Sequence, residues 1–143
     1  MKSAVLHLSE GANMGLHAIC RLARGGGRAT ARELAEGLGS SSHHMSKVMR
    51  KLAVGGIVSV AKGPNGGFYF EDSQLDKSLM DALEAIDGSF SCGGCIFKSG
   101  ICDRKDCIFA DVLKDANAAF SAYLRKTKIG NFINQQKKGK TTL

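Results

Sequence analysis

The chain has 143 residues, with 20 Lys and Arg against 13 Asp and Glu, a formal net charge of +7, and 43% hydrophobic residues. Hydrophobic content at that level excludes global disorder and supports one core, or a small domain with an appended element. No apolar run nears the roughly 20 residues of a membrane span. The opening MKSAVLHLSEGAN, with one lysine and a broken apolar run, does not read as a secretory signal. The expectation is a cytoplasmic protein whose thiols stay reduced.

The first helix is expected to start at a Ser9 cap and run to about Ala23, with Leu16, Ile19, Cys20 and Ala23 on one apolar stripe and Gly25-Gly26-Gly27 ending it. Thr30 and Glu33 have the spacing of a capping box and open a short helix that buries Leu34, Ala35 and Leu38. After the turn Gly37–Ser40, a third helix starts near Ser41 or Ser42. Met45, Val48, Met49 and Leu52 form its inward face, and His43, His44, Lys47, Arg50 and Lys51 its outward face. Ile57–Val60 and Phe68–Phe70 read as strands around the turn Gly63–Gly67. A helix follows from about Ser78 to Asp87, stopped by Gly88. A long helix runs from about Lys105 to Lys126, and Ile129, Phe132 and Ile133 suggest a further short one.

Helix, capped short helix, turn, basic helix and hairpin, in that order, describe a winged helix-turn-helix: a mainly α fold with a small β-hairpin wing and a long C-terminal dimerisation helix. Residues 1–72 form the DNA-binding domain in this reading, 73–136 the cysteine loop and dimerisation helices, and 137–143 a basic disordered tail. Charge agrees, because residues 1–70 hold nine basic and three acidic side chains while the remainder is nearly balanced. The expected partner is double-stranded DNA. Ser41, Ser42, His43, His44 and Lys47 would meet base edges or phosphates, Arg50 and Lys51 phosphates, and Lys62 and Asn65, in the wing, the adjacent backbone or minor groove. The apolar stripe of the long helix predicts a homodimer, since helix-turn-helix proteins commonly read paired half-sites. No catalytic constellation is present, so an enzyme is not expected.

Four of the five cysteines lie in SCGGCIFKSGICDRKDC, at Cys92, Cys95, Cys102 and Cys107. A reducing compartment disfavours a disulfide staple, which leaves a metal or redox role. Cys92-x2-Cys95 is a zinc-like half motif, whereas the four-residue gap between Cys102 and Cys107 is less so. Thiolates also suit iron–sulfur clusters, and Gly93, Gly94 and Gly100 would let a short loop wrap one. Cys20, on its helical stripe, is expected to be buried.

The chain resembles the Rrf-two family of bacterial transcription regulators. The likeness rests on Ala61-Lys62-Gly63-Pro64-Asn65-Gly66-Gly67-Phe68, similar to the family's RGPGGGY wing, and on Leu79 to Gly88, similar to its helix ending in alanine, a branched aliphatic, an acid and glycine. Gly15-Leu16-His17-Ala18 and the cysteine loop ahead of a long helix add to it. The resemblance implies DNA contacts at Ser41, His43, His44, Lys47 and Lys62. It also implies a 2Fe–2S or 4Fe–4S cluster held by Cys95, Cys102 and Cys107, with Cys92, Cys102 and Cys107 as the alternative triplet; zinc held by all four thiolates, from the Cys92-x2-Cys95 spacing, is the lesser alternative. His44 stands where many members have tyrosine, and Lys62 replaces arginine. In some members the fourth ligand is an acid on the partner subunit's first helix. Here that position reads Asn13, so Cys92 is the simplest fourth ligand, with Glu10 next and His17 and Asp111 weaker. The function expected is a regulator, as a repressor, that senses redox state, nitric oxide or iron–sulfur status. The alternatives are a cluster-free regulator, acting through zinc, a thiol switch or a metabolic-enzyme partner, and a redox protein that does not bind DNA.

Overall fold

The computed structural model describes residues 8–90 and 108–133. Its helices are α1 (Glu10–Gly25), α2 (Ala31–Leu38), α3 (Ser42–Val54), α4 (Leu79–Asp87) and α5 (Ala110–Lys126); strands β1 (Ser59–Ala61) and β2 (Gly67–Tyr69) make the hairpin. Short 3-10 turns cover Asp72–Asp76 and Ile129–Phe132.

Local chemistry sets most of these boundaries. The Ser9 hydroxyl accepts the Ala12 amide at 2.9 Å and donates to Asp87 Oδ1 at 2.8 Å, which caps α1 and fastens it to the end of α4. Thr30 and Glu33 close a reciprocal capping box on α2, at 3.1 and 3.2 Å, and Ser78 and Asp81 do the same for α4 at 3.0 and 2.9 Å. Ser41 caps α3 by accepting the His44 amide at 3.1 Å.

One core runs through all these helices. Ile19 of α1, Leu34 of α2, Met45 and Met49 of α3, Met80 and Leu83 of α4 and Leu124 of α5 all lie in it, together with Ile129. Each such side chain contributes about 1.5–3 kcal/mol by leaving water. Gly15 lets α1 approach closely, because a Cβ there would collide with Ile86 of α4 and lie 2.9 Å from Val48 Cγ1 of α3. The core is continuous across residue 72. Backbone bonds from Leu79 to Thr127 (2.9 Å) and from Ile129 to Lys77 (3.0 Å) tie the chain after α5 to the start of α4 and the residues just ahead of it.

The hairpin departs from expectation by about two residues. Ile57 and Val58 are buried ahead of β1 instead of starting it, and β1 and β2 pair in the register Ser59↔Tyr69, Val60↔Phe68, Ala61↔Gly67. Ala29, between α1 and α2, bridges to Phe68 on the outer edge of β2 through bonds of 3.1 and 2.8 Å, so β2 is held on both sides. Gly67 makes this possible. Its φ is +143°, and a Cβ there would lie 2.8 Å from the Ala29 carbonyl oxygen. The 3-10 turn Asp72–Asp76 is also outside the sequence reading. Its Gln74 is buried and bonds to Gly56, Ser59 and Glu71.

The long helix begins later than expected. Ile108 and Phe109 form a turn ahead of Ala110, and residues 105–107 lie outside the described residues. Among the described residues no helix is long and apolar enough to cross a membrane.

Candidate nucleic-acid interface

With Met45, Val48, Met49 and Leu52 buried, the 100° step of the helix turns His43, Lys47, Arg50 and Val54 outward as one ridge along α3. Lys47 and Arg50 belong to no ion pair among the described residues, so their charge is not neutralised. Ser41 and Ser42 are exposed at the open end of the helix, where Ser41 is the cap and the amides of Ser42 and His43 have no carbonyl one turn earlier.

Two expected members of the face stand apart. His44 is partly buried, since it lies 100° round the helix from His43. Lys51 is exposed, but its ammonium sits 3.5 Å from the Ile86 carbonyl oxygen at the C-terminal end of α4, where the helix dipole favours a cation. Lys51 is therefore engaged with α4 and is a weaker phosphate candidate than Lys47 or Arg50.

Lys62 and Asn65 are exposed in the wing turn. That turn is closed by the Gly66 amide donating to the Gly63 carbonyl at 2.9 Å. Sequence reasoning missed Arg28, whose Nη1 donates to the Asn65 carbonyl at 3.3 Å and whose guanidinium carbon lies 5.5 Å from the centre of the Tyr69 ring. Only its place in the run Gly27-Arg28-Ala29-Thr30, just ahead of a capping box, hinted at it.

Cys92, Cys95, Cys102 and Cys107 lie outside the described residues. Of the other ligand candidates, Glu10 is exposed in the first turn of α1 and Asp111 in the first turn of α5. Asn13 and His17 are exposed on α1, with His17 Nδ1 2.7 Å from the Asn13 carbonyl oxygen. Glu10, Asn13 and His17 line one groove of about 330 Å³ beside the turn between α2 and α3. Among the described residues no three His, Cys, Asp or Glu side chains gather as a metal site. Cys20 is only partly buried, yet desolvation pushes its thiol pKa up against the opposing charge of Arg24.

On α5, Leu113, Asn117 and Leu124 face inward. Val112 (72% exposed), Ala119 and Tyr123 make a neighbouring apolar strip that is open to solvent, and Ile108 (88% exposed) precedes it.

A family model described as "Rrf2: Iron-dependent Transcriptional regulator" matches residues 8–135. The transcriptional regulator IscR of Klebsiella pneumoniae (strain 342) is 22% identical over 104 residues, covering 73% of this chain and 64% of that protein. IscR of Escherichia coli (strain K12 / DH10B) matches to the same extent, so this chain spans under two thirds of the length of these relatives. Among solved structures, CymR of B. subtilis, the global cysteine regulator, superposes with a TM-score of 0.66 at 20% identity, over 90% of this chain and 96% of that one. IscR of T. potens superposes with a TM-score of 0.67 at 18% identity, over 96% and 93%. At these identities the superpositions establish the winged helix fold.

Proposed function

We propose, from the premise that this chain belongs to the Rrf2 family of transcriptional regulators, that it binds double-stranded DNA through α3 and the wing and acts as a repressor responding to iron–sulfur or redox state. The observation that carries the DNA reading is the α3 ridge of His43, Lys47 and Arg50. It is exposed, basic and unpaired, beside a wing that carries Lys62. An α-helix fits the major groove, and a hairpin beside it reaches the flanking backbone. His43 and Lys47 are the candidates for base edges. Ser41, Ser42 and Arg50, together with Lys62 and Asn65 of the wing, are the candidates for phosphates. The exposed strip Val112, Ala119 and Tyr123 supports a homodimer, which would present two recognition helices to successive half-sites.

The donor set fits an iron–sulfur cluster, because four thiolates at Cys92, Cys95, Cys102 and Cys107 match soft iron and sulfide. Cys95, Cys102 and Cys107 would be the core ligands and Cys92 the fourth, with Glu10 as the alternative. When bound, the cluster supplies reversible redox chemistry and sensitivity to oxygen and nitric oxide. Cys107 precedes α5 by two residues, Ile108 and Phe109, so the ligand segment leads directly into the proposed dimer helix. Regulation follows if the two states of the site differ in affinity for DNA.

The test has two arms. Selection from a random duplex pool of about 30 base pairs, two half-sites with flanks, should recover a two-fold symmetric sequence. Arg50→Ala should lower the salt dependence of binding by about one unit of slope, and Lys47→Ala should cost about 1–3 kcal/mol and relax the sequence preference. Failure to enrich any sequence refutes the DNA reading. In the second arm, protein purified without oxygen should be coloured and contain iron and acid-labile sulfide. A colourless protein with stoichiometric zinc refutes the cluster. Equal operator affinity before and after cluster removal refutes the switch.

A further inference from the structure

We propose that Arg28 is a positioning residue for the wing, holding the turn that carries Lys62 and Asn65 against the body of the domain before DNA arrives. The consequence for DNA binding rests on the function proposed above; the geometry does not.

The strand pairing of the hairpin ends at Ala61↔Gly67, so Lys62 to Gly66 lie beyond the ladder. Within that turn one backbone bond is present, from Gly66 to Gly63 at 2.9 Å, and Pro64 has no amide to offer another. Gly63, with φ at +97°, adds conformational freedom that a free turn would exploit. A five-residue loop with one internal bond is a poor platform for two DNA contacts.

Arg28 supplies the missing anchor from outside the hairpin. Its Nη1 donates to the Asn65 carbonyl at the tip of the turn at 3.3 Å, across 37 positions of sequence. Its guanidinium lies over the Tyr69 ring in β2 at 5.5 Å. The next residue, Ala29, is bonded to Phe68 through both its backbone groups. Residues 28 and 29 therefore meet the wing at its tip, at the β2 backbone and at the Tyr69 ring.

The residue type matters. A guanidinium is planar, so it can stack on a ring face while donating in its own plane; an ammonium is a compact point charge on a flexible stem and has no plane to stack. Arg28 also belongs to no ion pair among the described residues, so its charge is not neutralised by an acid there. A turn ordered in the free protein loses less freedom on binding, and that difference appears as affinity.

The experiment compares the full chain with Arg28→Ala and Arg28→Lys by hydrogen exchange, and by affinity for the duplex selected with the unsubstituted protein. Losing an exposed ring contact and an exposed hydrogen bond should speed exchange of the Gly66 amide about ten-fold, with core amides of α1 and α3 unchanged. Arg28→Lys should restore little of this, because charge returns without the plane. Affinity should fall about ten-fold for Arg28→Ala and remain reduced for Arg28→Lys. Unchanged exchange at Gly66 in Arg28→Ala overturns the proposal. So does exchange that rises equally in the core, which marks general destabilisation. Full recovery by Arg28→Lys assigns the residue to charge and overturns positioning. Faster exchange with unchanged affinity overturns the link to DNA. If the unsubstituted protein selects no duplex, the DNA reading fails, while exchange at Gly66 still decides the role of Arg28.

Discussion

Replacing Gln74 with alanine removes a side chain that is only 7% exposed and joins three segments leading into the wing. Its Nε2 donates to the Gly56 carbonyl at 3.2 Å and to the Ser59 hydroxyl at 3.0 Å, and its Oε1 accepts the Glu71 amide at 2.8 Å. The Ser59 hydroxyl rotates away, but the Gly56 carbonyl and the Glu71 amide belong to fixed backbone and lose these partners. Gly56 and Glu71 are themselves exposed, so water can reach the freed groups and each of the three lost bonds counts at its net worth of about 0.5–1.5 kcal/mol. The expected loss for Gln74→Ala is about 2–4 kcal/mol. For a chain of this size that is a fall in melting temperature of about 10 °C. Gln74→Met refills the volume without restoring any bond, so it should fall nearly as far. Chemical denaturation followed by circular dichroism measures both. If Gln74→Met matches the unsubstituted protein while Gln74→Ala falls, packing and not hydrogen bonding holds this corner, and the reasoning fails. A loss below about 0.5 kcal/mol in both variants, the range of ordinary surface substitutions, would refute it entirely.

Two further outcomes are expected. Burial raises the Cys20 pKa, so its alkylation at pH 8, followed on the Cys20 peptide by mass spectrometry, should run slower than that of a free thiol. The folded state then keeps this proton longer than the unfolded chain does, so its contribution to stability is present below the ordinary thiol pKa of roughly 8.5 and is lost as pH rises through the raised value. Labelling at the free-thiol rate contradicts this. If the proposed dimer forms through α5, Val112→Glu should shift it to a monomer in sedimentation. Its own fold should change by less than about 1 kcal/mol, because Val112 is 72% exposed in the single chain. A dimer that persists places the interface elsewhere.

The features legible in the sequence are those encoded within a few residues. Ser9 and Thr30–Glu33 cap their helices through contacts three positions apart, so they are readable without a fold, and Ser78–Asp81 has the same spacing although the sequence reading did not single it out. The inward stripe of α3 was likewise readable from its period, and the outward ridge follows from it. The same reasoning could not separate Lys51 from Lys47, because what distinguishes them is the Ile86 carbonyl of α4, 35 positions away. Arg28 and Gln74 escaped notice for the same reason. One is an arginine in a glycine-rich link and the other a glutamine in a polar run, and their partners appear only when the chain closes.

By itself the sequence determined the order of helices and hairpin, the basic bias of the first half and the four thiols between Ser91 and Cys107. Periodicity, capping and ligand chemistry act locally and leave their mark in residue types. Tertiary structure alone decided that β2 is held on both edges, that Gly67 must remain bare against Ala29, and that Arg28 reaches the wing. Those outcomes depend on which distant backbone groups come within about 3 Å, the length of a hydrogen bond. Such proximity is a property of the packed core and not of any one segment.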